Sequence, residues 1–291
     1  MAFLYAIVMG LIQGVTEFLP VSSSGHLAIC KTLFHIEEPG LFFDVLLHVG
    51  TLIAVFLCFW RDIVTLLREL IGMIGDCFYN LGQAVTGRGQ AGGPAYRRIV
   101  DNSYRKFDLL LLVATIPTGV IGIWDRHLVE KLGSLLPATG ICLCITGVIL
   151  LLADRIPEGD HTPRSTTYAS AFLVGIAQGV ATLPGISRSG STIAACLACG
   201  FKKSYAVRFS FLLSIPAILG SLVFELRDVE LSEISGVTMA SYFVGMAVAF
   251  AVGFICIRLM LFIVRRRRFW GFSIYCFAVG ALSIIGGILI R

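Results

Sequence analysis

The sequence predicts an all-α integral membrane protein with six transmembrane helices and two re-entrant helix-turn-helix hairpins, arranged as an inverted repeat. Hydrophobic residues fill 57% of the 291 positions and charged residues only 14%, whereas soluble domains carry roughly one quarter charged residues. The apolar residues form blocks of the roughly 20 positions that a helix needs to cross the hydrocarbon core. Barrel strands would instead appear as short segments of alternating polarity. Two of the blocks are broken by polar tips that resemble each other.

The first block, residues 1–34, predicts a re-entrant hairpin. Its opening MAFLYAIVMG contains no Lys or Arg and precedes no small-residue cleavage site, so we expect it to remain in the fold and not to be removed as a signal peptide. An apolar helix, the polar tip LPVSSSGH and a second, shorter apolar helix follow one another. Such irregular backbone is tolerated at membrane depth only where it is buried in protein or lines a wet cavity.

Continuous apolar blocks predict the six full crossings. They lie at residues 41–60, 107–124, 137–153, 206–225, 239–264 and 269–290. A long connection separates the first two crossings, and its stretch LGQAVTGRGQAGGP at 81–94 is expected to be flexible because it is rich in Gly. The remaining block, residues 167–200, repeats the hairpin pattern around the tip LPGISRSGST.

An internal repeat relates the two hairpins. Sliding one onto the other by 165 residues gives six identities in thirteen positions without a gap. The identical pairs are Gln13 and Gln178, Gly14 and Gly179, Val15 and Val180, Ser22 and Ser187, Ser24 and Ser189, and Gly25 and Gly190. Each repeat, 1–153 and 167–291, then contains one hairpin and three crossings within a single membrane domain. Because three is odd, the second repeat is inverted, and the two tips enter from opposite faces and meet near the midplane.

The charges of the loops predict the orientation. Most Lys and Arg residues of the loops, including the run RRRR at 265–268, fall on one side of this topology, which we expect to be cytoplasmic, with both termini outside. The net charge of +5 is scattered over loops that flank apolar helices. We therefore expect contacts with membrane lipids and no nucleic-acid partner.

The nine cysteines predict neither a disulfide framework nor a zinc site. Seven of them lie inside apolar blocks without paired His ligands, where packing between helices explains them. The C-x-x-C spacing of Cys196 and Cys199 has no second pair to complete a zinc site. We expect no organic cofactor, and the sequence leaves open whether the chain forms a homodimer.

The two tips together carry the groups of a phosphate site. Arg188 offers a planar fork of donors that matches phosphate oxygens. Hydroxyl groups and the free N–H groups at the start of a half-helix complete an anion cradle. Ser23 and His26 share a helix face if the half-helix starts at Ser22 or Ser23, so that His26 can activate a serine nucleophile. The candidate site residues are Gln13, Glu17, Ser22, Ser23, Ser24 and His26 in the first hairpin and Ser187, Arg188, Ser189, Ser191 and Thr192 in the second.

At this point the chain resembles the undecaprenyl-pyrophosphate phosphatase family, also called the bacitracin-resistance protein family. The resemblance lies in QGVTEFLPVSSSGH at 13–26 and PGISRSGST at 184–192, and extends to FFDVLLHVGTLIAV at 42–55 and FSFLLSIPA at 209–217. It covers essentially the whole chain. It implies an isoprenoid pyrophosphate lipid substrate, loss of its terminal phosphate to recycle the carrier of envelope synthesis, and a bacterial inner membrane, with the active site open to the outer face.

The resemblance also implies roles for individual residues. It makes Ser23 or Ser22 the nucleophile, His26 a base or proton shuttle, Glu17 the carboxylate, Arg188 the phosphate clamp, and Ser187 and Thr192 supporting donors. Gln13, Ser24 and Ser189 are further candidates for contacts with the substrate. Each role has a structural alternative. Ser22 or Ser23 can be an ordinary helix N-cap, His26 can bond a carbonyl group, and Glu17 can pair with Arg188 as a structural ion pair.

Three further points stay open in the sequence. Gln13 occupies a position where family members carry Glu or Gln, so Glu17 is the one candidate carboxylate for a Mg²⁺ or Ca²⁺ ion. Asp44 and His48, one turn apart on a crossing, either line the cavity or pair with each other. The alternative function is a lipid-phosphate flippase or transporter, because inverted repeats with broken helices also occur in carriers.

Overall fold

Helices build almost all of the described part of the computed structural model, which comprises residues 2–33, 41–86, 96–226, 236–265 and 269–289. In chain order they are α1 (Ala2–Phe18), α2 (Ser23–Leu33), α3 (Leu41–Cys58), α4 (Trp60–Thr86), α5 (Ser103–Trp124), α6 (Arg126–Gly133), α7 (Leu136–Arg155), α8 (Tyr168–Val180), α9 (Arg188–Ala198), α10 (Lys203–Glu225), α11 (Gly236–Arg265) and α12 (Trp270–Leu289). The all-α prediction is confirmed. Some predicted features lie outside the described residues, namely the block ends at 1, 34, 290 and 291, residues 87–94 of the expected flexible stretch and residues 266–268 of the arginine run.

Five helices are long and apolar enough to cross a membrane: α5, α7, α10, α11 and α12. A sixth is added when α3 is counted together with α4, which follows it after a bend of 83°. The ends of the five helices agree with the predicted crossings to within about one helical turn. The chain is therefore a multi-pass membrane protein.

The fourth helix corrects the sequence prediction. The expected flexible stretch at 81–94 overlaps α4, which continues from Trp60 to Thr86. The prediction was wrong for residues 81–86 because apolar side chains recur there at helical spacing without an intervening proline, which favours a helix despite Gly82. The predicted crossing 41–60 also ends early, since α3 stops at Cys58 and the chain turns sharply into α4.

Each predicted polar tip lies at a break between two helices. Residues 19–22 separate α1 from α2, and residues 181–187 separate α8 from α9. The longer helix of each pair packs against a long apolar helix through glycine. A Cβ atom on Gly10 would lie 2.4 Å from the carbonyl oxygen of Gly245 in α11, and one on Gly175 would lie 2.1 Å from that of Ala114 in α5. Only glycine permits such an approach of the two backbones.

The long apolar helices α7 and α12 pack against each other. Helices α7 and α12 cross where a Cβ on Gly140 would lie 2.6 Å from the Gly280 oxygen, and a Cβ on Gly280 would lie 2.7 Å from the Gly140 oxygen. At the end of α7, the Asp154 carboxylate accepts hydrogen bonds from the N–H groups of Phe269 and Trp270 at 2.9 and 2.7 Å. These bonds satisfy free donors at the start of α12 and fix the two helices side by side.

The main apolar core lies beside the tips. Phe18, at the end of α1, packs edge to face on Phe211 of α10 with ring centroids 5.6 Å apart, and both side chains are fully buried. Ile193 of α9 belongs to the same cluster. Both tips therefore rest on one packed apolar layer, which holds their polar ends in place.

Candidate active site

The Glu17 carboxylate joins the two tips. It lies in the last turn of α1, and its Oε2 accepts a hydrogen bond from the Ser23 hydroxyl at 2.6 Å and another from Gln13 Nε2 at 3.1 Å. Its Oε1 accepts from Arg188 Nη2, which comes from the second tip. Gln13 and Glu17 are one helical turn apart, so both point from the same face of α1.

Arg188 is the more accessible partner of this ion pair. Its side chain is 17% exposed, against 5% for Glu17. Arg188 begins α9, so its guanidinium lies beside the N-terminal end of a helix. The structural alternative, an ion pair between Glu17 and Arg188, is thus present in the structure. The pair uses Nη2 of Arg188, so the guanidinium reaches Glu17 from the second tip, whereas Ser23 reaches it from the first.

Ser22 and Ser187 hold equivalent capping positions. The Ser22 hydroxyl accepts from the Gly25 N–H at 3.3 Å, and the Ser187 hydroxyl accepts from the Gly190 N–H at 3.1 Å. Each also contacts the serine two residues on, at 3.3 Å from Ser22 Oγ to Ser24 Oγ and at 3.4 Å for the second tip's Ser187 and its neighbour. The N-cap alternative therefore describes Ser22, and Ser23 is left as the serine that contacts a carboxylate.

Ser22 also has an unusual backbone. Its φ is +70°, in the left-handed region, and the side chain is buried. This conformation costs an L-residue roughly 1–2 kcal/mol and is typical of functional tips that the surrounding structure holds in place. Here it directs the Ser22 carbonyl group toward the ring of His26, which lies 2.7 Å away at Nδ1.

His26 is oriented by two partners other than Ser23. Its Nδ1 faces the Ser22 carbonyl oxygen, and its Nε2 lies 2.8 Å from the Tyr275 hydroxyl. The rings of His26 and Tyr275 are stacked, with centroids 5.5 Å apart. Because a carbonyl oxygen only accepts, Nδ1 carries the hydrogen, and Nε2 of the neutral ring accepts from Tyr275. The serine that shares its face is paired with Glu17 instead.

The second tip is anchored near the middle of α7. The Thr146 hydroxyl donates to the Gly185 carbonyl oxygen at 2.8 Å and accepts from the Ser187 N–H at 2.9 Å. Ser189 donates to the carbonyl of Leu19 in the first tip at 3.2 Å. These bonds tie the two tips to each other and to the centre of a crossing helix.

Thr192 is fully buried behind Arg188. Its hydroxyl lies 2.8 Å from the Arg188 carbonyl oxygen and 2.5 Å from the Ser210 hydroxyl of α10. It therefore fixes the first turn of α9, and Arg188 with it, against α10. Ser187 and Ser189, also buried, support the tip in the same way through the bonds to Gly190 and Leu19 described above.

Several buried polar atoms near the tips have no hydrogen-bond partner among the residues that the structure describes. They include the amide oxygens of Gln13 and Gln178 and the hydroxyl of Ser191. Within the same residues there is no cluster of three His, Cys, Asp or Glu side chains that could hold a metal. The Gln13 amide oxygen is thus a buried acceptor beside Glu17 that no described residue bonds.

The side chains of Asp44 and His48, the remaining predicted polar pair, bond different partners. The Asp44 carboxylate bonds Lys31 at 2.5 Å, and His48 Nδ1 lies 2.9 Å from the Asp44 backbone oxygen. The carboxylate and the imidazole therefore have different partners. The sequence analysis gave no role to Tyr275, Thr146 and Ser210. Tyr275 and Thr146 lie in apolar helices without a local motif, and Ser210 lies in the stretch FSFLLSIPA, whose resemblance did not single it out.

Comparison of the sequence with known proteins places the chain in a family. Residues 6–282 match the family described as Bacitracin resistance protein BacA. A protein of Alkaliphilus metalliredigens named Undecaprenyl-diphosphatase is 41% identical over 285 residues, which cover 98% of each chain. Proteins of the same name from Desulfosudis oleivorans and Methanosphaera stadtmanae are 40% and 36% identical, over 96% and 97% of both chains. The chain belongs to the bacitracin resistance protein BacA family.

Proposed function

We propose that the protein hydrolyses undecaprenyl pyrophosphate to undecaprenyl phosphate and inorganic phosphate. The observation that carries this proposal is the 2.6 Å hydrogen bond from the Ser23 hydroxyl to a carboxylate that Arg188 also contacts from the opposite tip. A nucleophile, a base and a cation thus converge. The name that the relatives bear supplies the substrate. This activity recycles the lipid carrier of cell-wall synthesis, and with it goes the bacitracin resistance for which the family is named.

Ser23 and Glu17 carry the first step of the proposed mechanism. Glu17 accepts the Ser23 proton while Ser23 Oγ attacks the terminal phosphorus atom. The bond from that phosphorus to the bridging oxygen breaks, and undecaprenyl phosphate leaves with the electron pair. Water then attacks the phosphorus atom of the phosphoserine and gives a proton to a base at the site. The bond from that phosphorus to Ser23 Oγ breaks, and Oγ takes back the proton that Glu17 holds, so that inorganic phosphate and free Ser23 are regenerated.

Arg188 stabilises the charge that develops on phosphorus oxygens. Its contact with Glu17 uses one nitrogen, and the planar fork offers further N–H donors for a phosphate group. Its greater exposure relative to Glu17 fits a side chain that meets the substrate. The role left for His26 is that of base or proton shuttle: Ser22 and Tyr275 hold its ring, and Nε2 of the neutral imidazole can take up a proton.

The cation requirement remains a prediction. The oxygen donors fit a hard ion such as Mg²⁺ or Ca²⁺: the Glu17 carboxylate and the buried, unpartnered amide oxygen of Gln13 lie one turn apart. Such an ion would neutralise charge on the pyrophosphate oxygens. The Glu17 carboxylate and the Gln13 amide oxygen would hold it, while Gln13 Nε2 donates to Glu17.

Reciprocal contacts support the inverted repeat with two re-entrant hairpins. A Cβ on Gly25 would touch Gly185, and a Cβ on Gly190 would touch Pro20. Shifting the first pair by 165 residues turns it into the second, as a two-fold axis between the tips requires. The packing of α1 on α11 and of α8 on α5, each through a glycine 165 residues from the other, follows the same relation.

The proposed location is a bacterial inner membrane, with both termini outside and the site open to the outer face. Loop charge supports this orientation. The loops that carry most Lys and Arg fall on the side of the membrane away from the termini, and such loops are typically cytoplasmic. The anchoring of the second tip at Thr146, near the middle of α7, supports a site close to the midplane.

Phosphate release tests the function. Purified protein in detergent, given undecaprenyl pyrophosphate, should release inorganic phosphate, and Ser23→Ala should lose orders of magnitude in kcat. Ser134→Ala, whose hydroxyl bonds only a surface carbonyl, is the matched control and should keep full turnover. Substrate binding without release by the unaltered protein would assign the site to a flippase. More than about a tenth of kcat in Ser23→Ala would replace serine by water as nucleophile.

A further inference from the structure

Helix α4 carries an apolar stripe on its surface. Eight large apolar side chains are exposed at alternating steps of four and three residues along its length of 27 residues. They are Trp60, Val64, Leu67, Ile71, Ile74, Phe78, Leu81 and Val85, and we call this set the α4 stripe. The spacing keeps all eight on one side of the helix, over about 40 Å. An exposed apolar surface of this length marks an interaction site.

The opposite side of α4 is acidic and paired. Glu69 accepts from Arg105 Nε at 2.9 Å, and Asp76 accepts from Arg105 Nη1 at 2.7 Å and from Arg97 at 3.2 Å. Arg105 stands in the first turn of α5, a helix apolar enough to cross the membrane. The acidic side of α4 therefore lies level with the polar end of a crossing.

The α4 stripe lies level with the apolar part of the same crossing. A groove of about 410 Å³ between α4 and α5 is lined by Ile74 and Phe78 of the stripe and by Leu109 of α5. Leu109 is one helical turn further along α5 than Arg105, toward its apolar interior. The bend of 83° from α3 directs α4 across the direction of its own preceding span. Helix α4 thus lies across the crossings. Its acidic side is level with the polar end of α5, and its stripe is level with the apolar part of α5.

Positive charge stands at the start of α4. A groove of about 610 Å³ beside Trp60 is lined by Arg61, Arg208 and Arg258, with apolar walls from α3 and α11. Asp62 pairs with Arg208 at 3.4 Å, so the groove keeps an excess of positive charge. These arginines come from three elements that meet at one end of the bundle, the level at which phosphate headgroups lie when the crossings span the hydrocarbon.

We propose that α4 is a membrane-surface helix whose stripe inserts into the lipid of one leaflet, parallel to the membrane plane. Three observations agree on this partner: the bend from α3, the level of the stripe relative to α5, and the arginine-lined groove at headgroup height. Interfacial helices have this combination of a long apolar face, a charged face and an aromatic residue at the end. A second copy of the chain, which the same spacing fits in a coiled coil, is the competing occupant.

Fluorescent probes on the full-length protein test the proposal. A polarity-sensitive dye is attached to single cysteines replacing Ile71, Phe78 or Gln83 in a cysteine-free background, in phosphatidylglycerol and phosphatidylcholine vesicles. Dyes at 71 and 78 should be quenched several-fold more by spin-labelled lipid than by aqueous iodide. Gln83, on the side of α4 that carries Glu69 and Asp76, is the matched control and should show the reverse. Iodide quenching at 71 and 78 equal to that at 83 would overturn the lipid contact.

A second measurement avoids replacing the native cysteines. A photo-crosslinking residue, benzoylphenylalanine, at Ile71 in the otherwise unaltered protein should give lipid adducts and no product of twice the chain mass. A doubled-mass product without lipid adducts would assign the stripe to a second copy of the chain and overturn the proposal. Phosphate release by the same preparation shows that the tested protein is folded.

Discussion

Arg188 has two candidate roles, a phosphate clamp and a structural ion pair with Glu17. Both require a positive charge next to Glu17, and substitution by lysine distinguishes them. Lysine keeps the charge, so an ion pair that only supports the fold survives in Arg188→Lys, but a compact ammonium cannot make the paired contact with phosphate. We expect Arg188→Lys to purify like the unaltered protein and to lose about 30- to 1000-fold in kcat/KM, equivalent to roughly 2–4 kcal/mol of transition-state stabilisation. Steady-state phosphate release and thermal unfolding in detergent measure the two effects.

The opposite result would have a clear meaning for the same residue. Normal turnover in Arg188→Lys, together with an Arg188→Ala chain that does not fold, would make the contact with Glu17 purely structural. Glu17 would then be a poor base, because its charge would be committed to the ion pair at every stage.

Tyr275 is a positioning residue for His26. Tyr275→Phe removes the hydroxyl that lies 2.8 Å from His26 Nε2 but keeps the stacked ring. We expect kcat to fall roughly tenfold with little change in KM, as for other residues that orient a functional histidine. Tyr168→Phe removes a hydroxyl from an exposed tyrosine at the start of α8 and should leave both constants unchanged. A Tyr275→Phe enzyme with normal kcat would show that His26 does not depend on this bond.

The site residues show how much of the site could be predicted from the sequence. Glu17, Ser23 and Arg188 were all predicted to share the site, because each stands in a polar tip within an apolar block. The pairing of Glu17 with Arg188 was among the predicted alternatives. The partner of Ser23 was not predicted: the sequence suggested His26, whereas the structure pairs Ser23 with Glu17. The partner of His26 is 249 positions away, and no local pattern connects residues at that distance.

Close contacts between helices depend on glycine at defined points. Gly175→Ala places a Cβ 2.1 Å from the Ala114 carbonyl oxygen, so α8 must move away from α5 and carry the second tip with it. We expect a loss of about 1–3 kcal/mol in stability, as for overpacked interiors, measured as a lower Tm in detergent. Gly220→Ala, a helix position with nothing within 4 Å, should be neutral or raise stability by up to about 1 kcal/mol. Equal Tm values for the two variants would contradict the tight contact.

Most elements could be predicted, and the exception has a physical cause. Long apolar blocks with polar interruptions specified both helix pairs and five crossings to within about a turn, because lipid leaves the backbone few alternatives. Helix α4 was missed because its apolar residues are spaced along one side, so that a search for continuous apolar blocks passes over it. In addition, its glycine-rich continuation in the sequence resembles a flexible loop.

The orientation of the whole molecule is testable from two loops. We expect a cysteine replacing Ser134, in the exposed turn between α6 and α7, to react with a membrane-impermeant thiol reagent in intact cells. A cysteine replacing Asp160, exposed in the segment after α7, should react only after the membrane is permeabilised. Both are measured in a chain without its native cysteines. The reversed pattern would place both termini in the cytoplasm, and equal labelling would indicate insertion in two orientations.

The contact between Glu17 and Arg188 also sets an order on biosynthesis. The two residues are 171 positions apart. A ribosome that adds about 5–20 residues per second therefore synthesises Arg188 roughly 10–30 seconds after Glu17. An ionised carboxylate is costly in hydrocarbon, so the first tip of the nascent chain must stay hydrated or protonated until the second tip has been synthesised. Ser23 and Glu17 can meet early, whereas the Arg188 guanidinium joins them only late in the synthesis of each molecule.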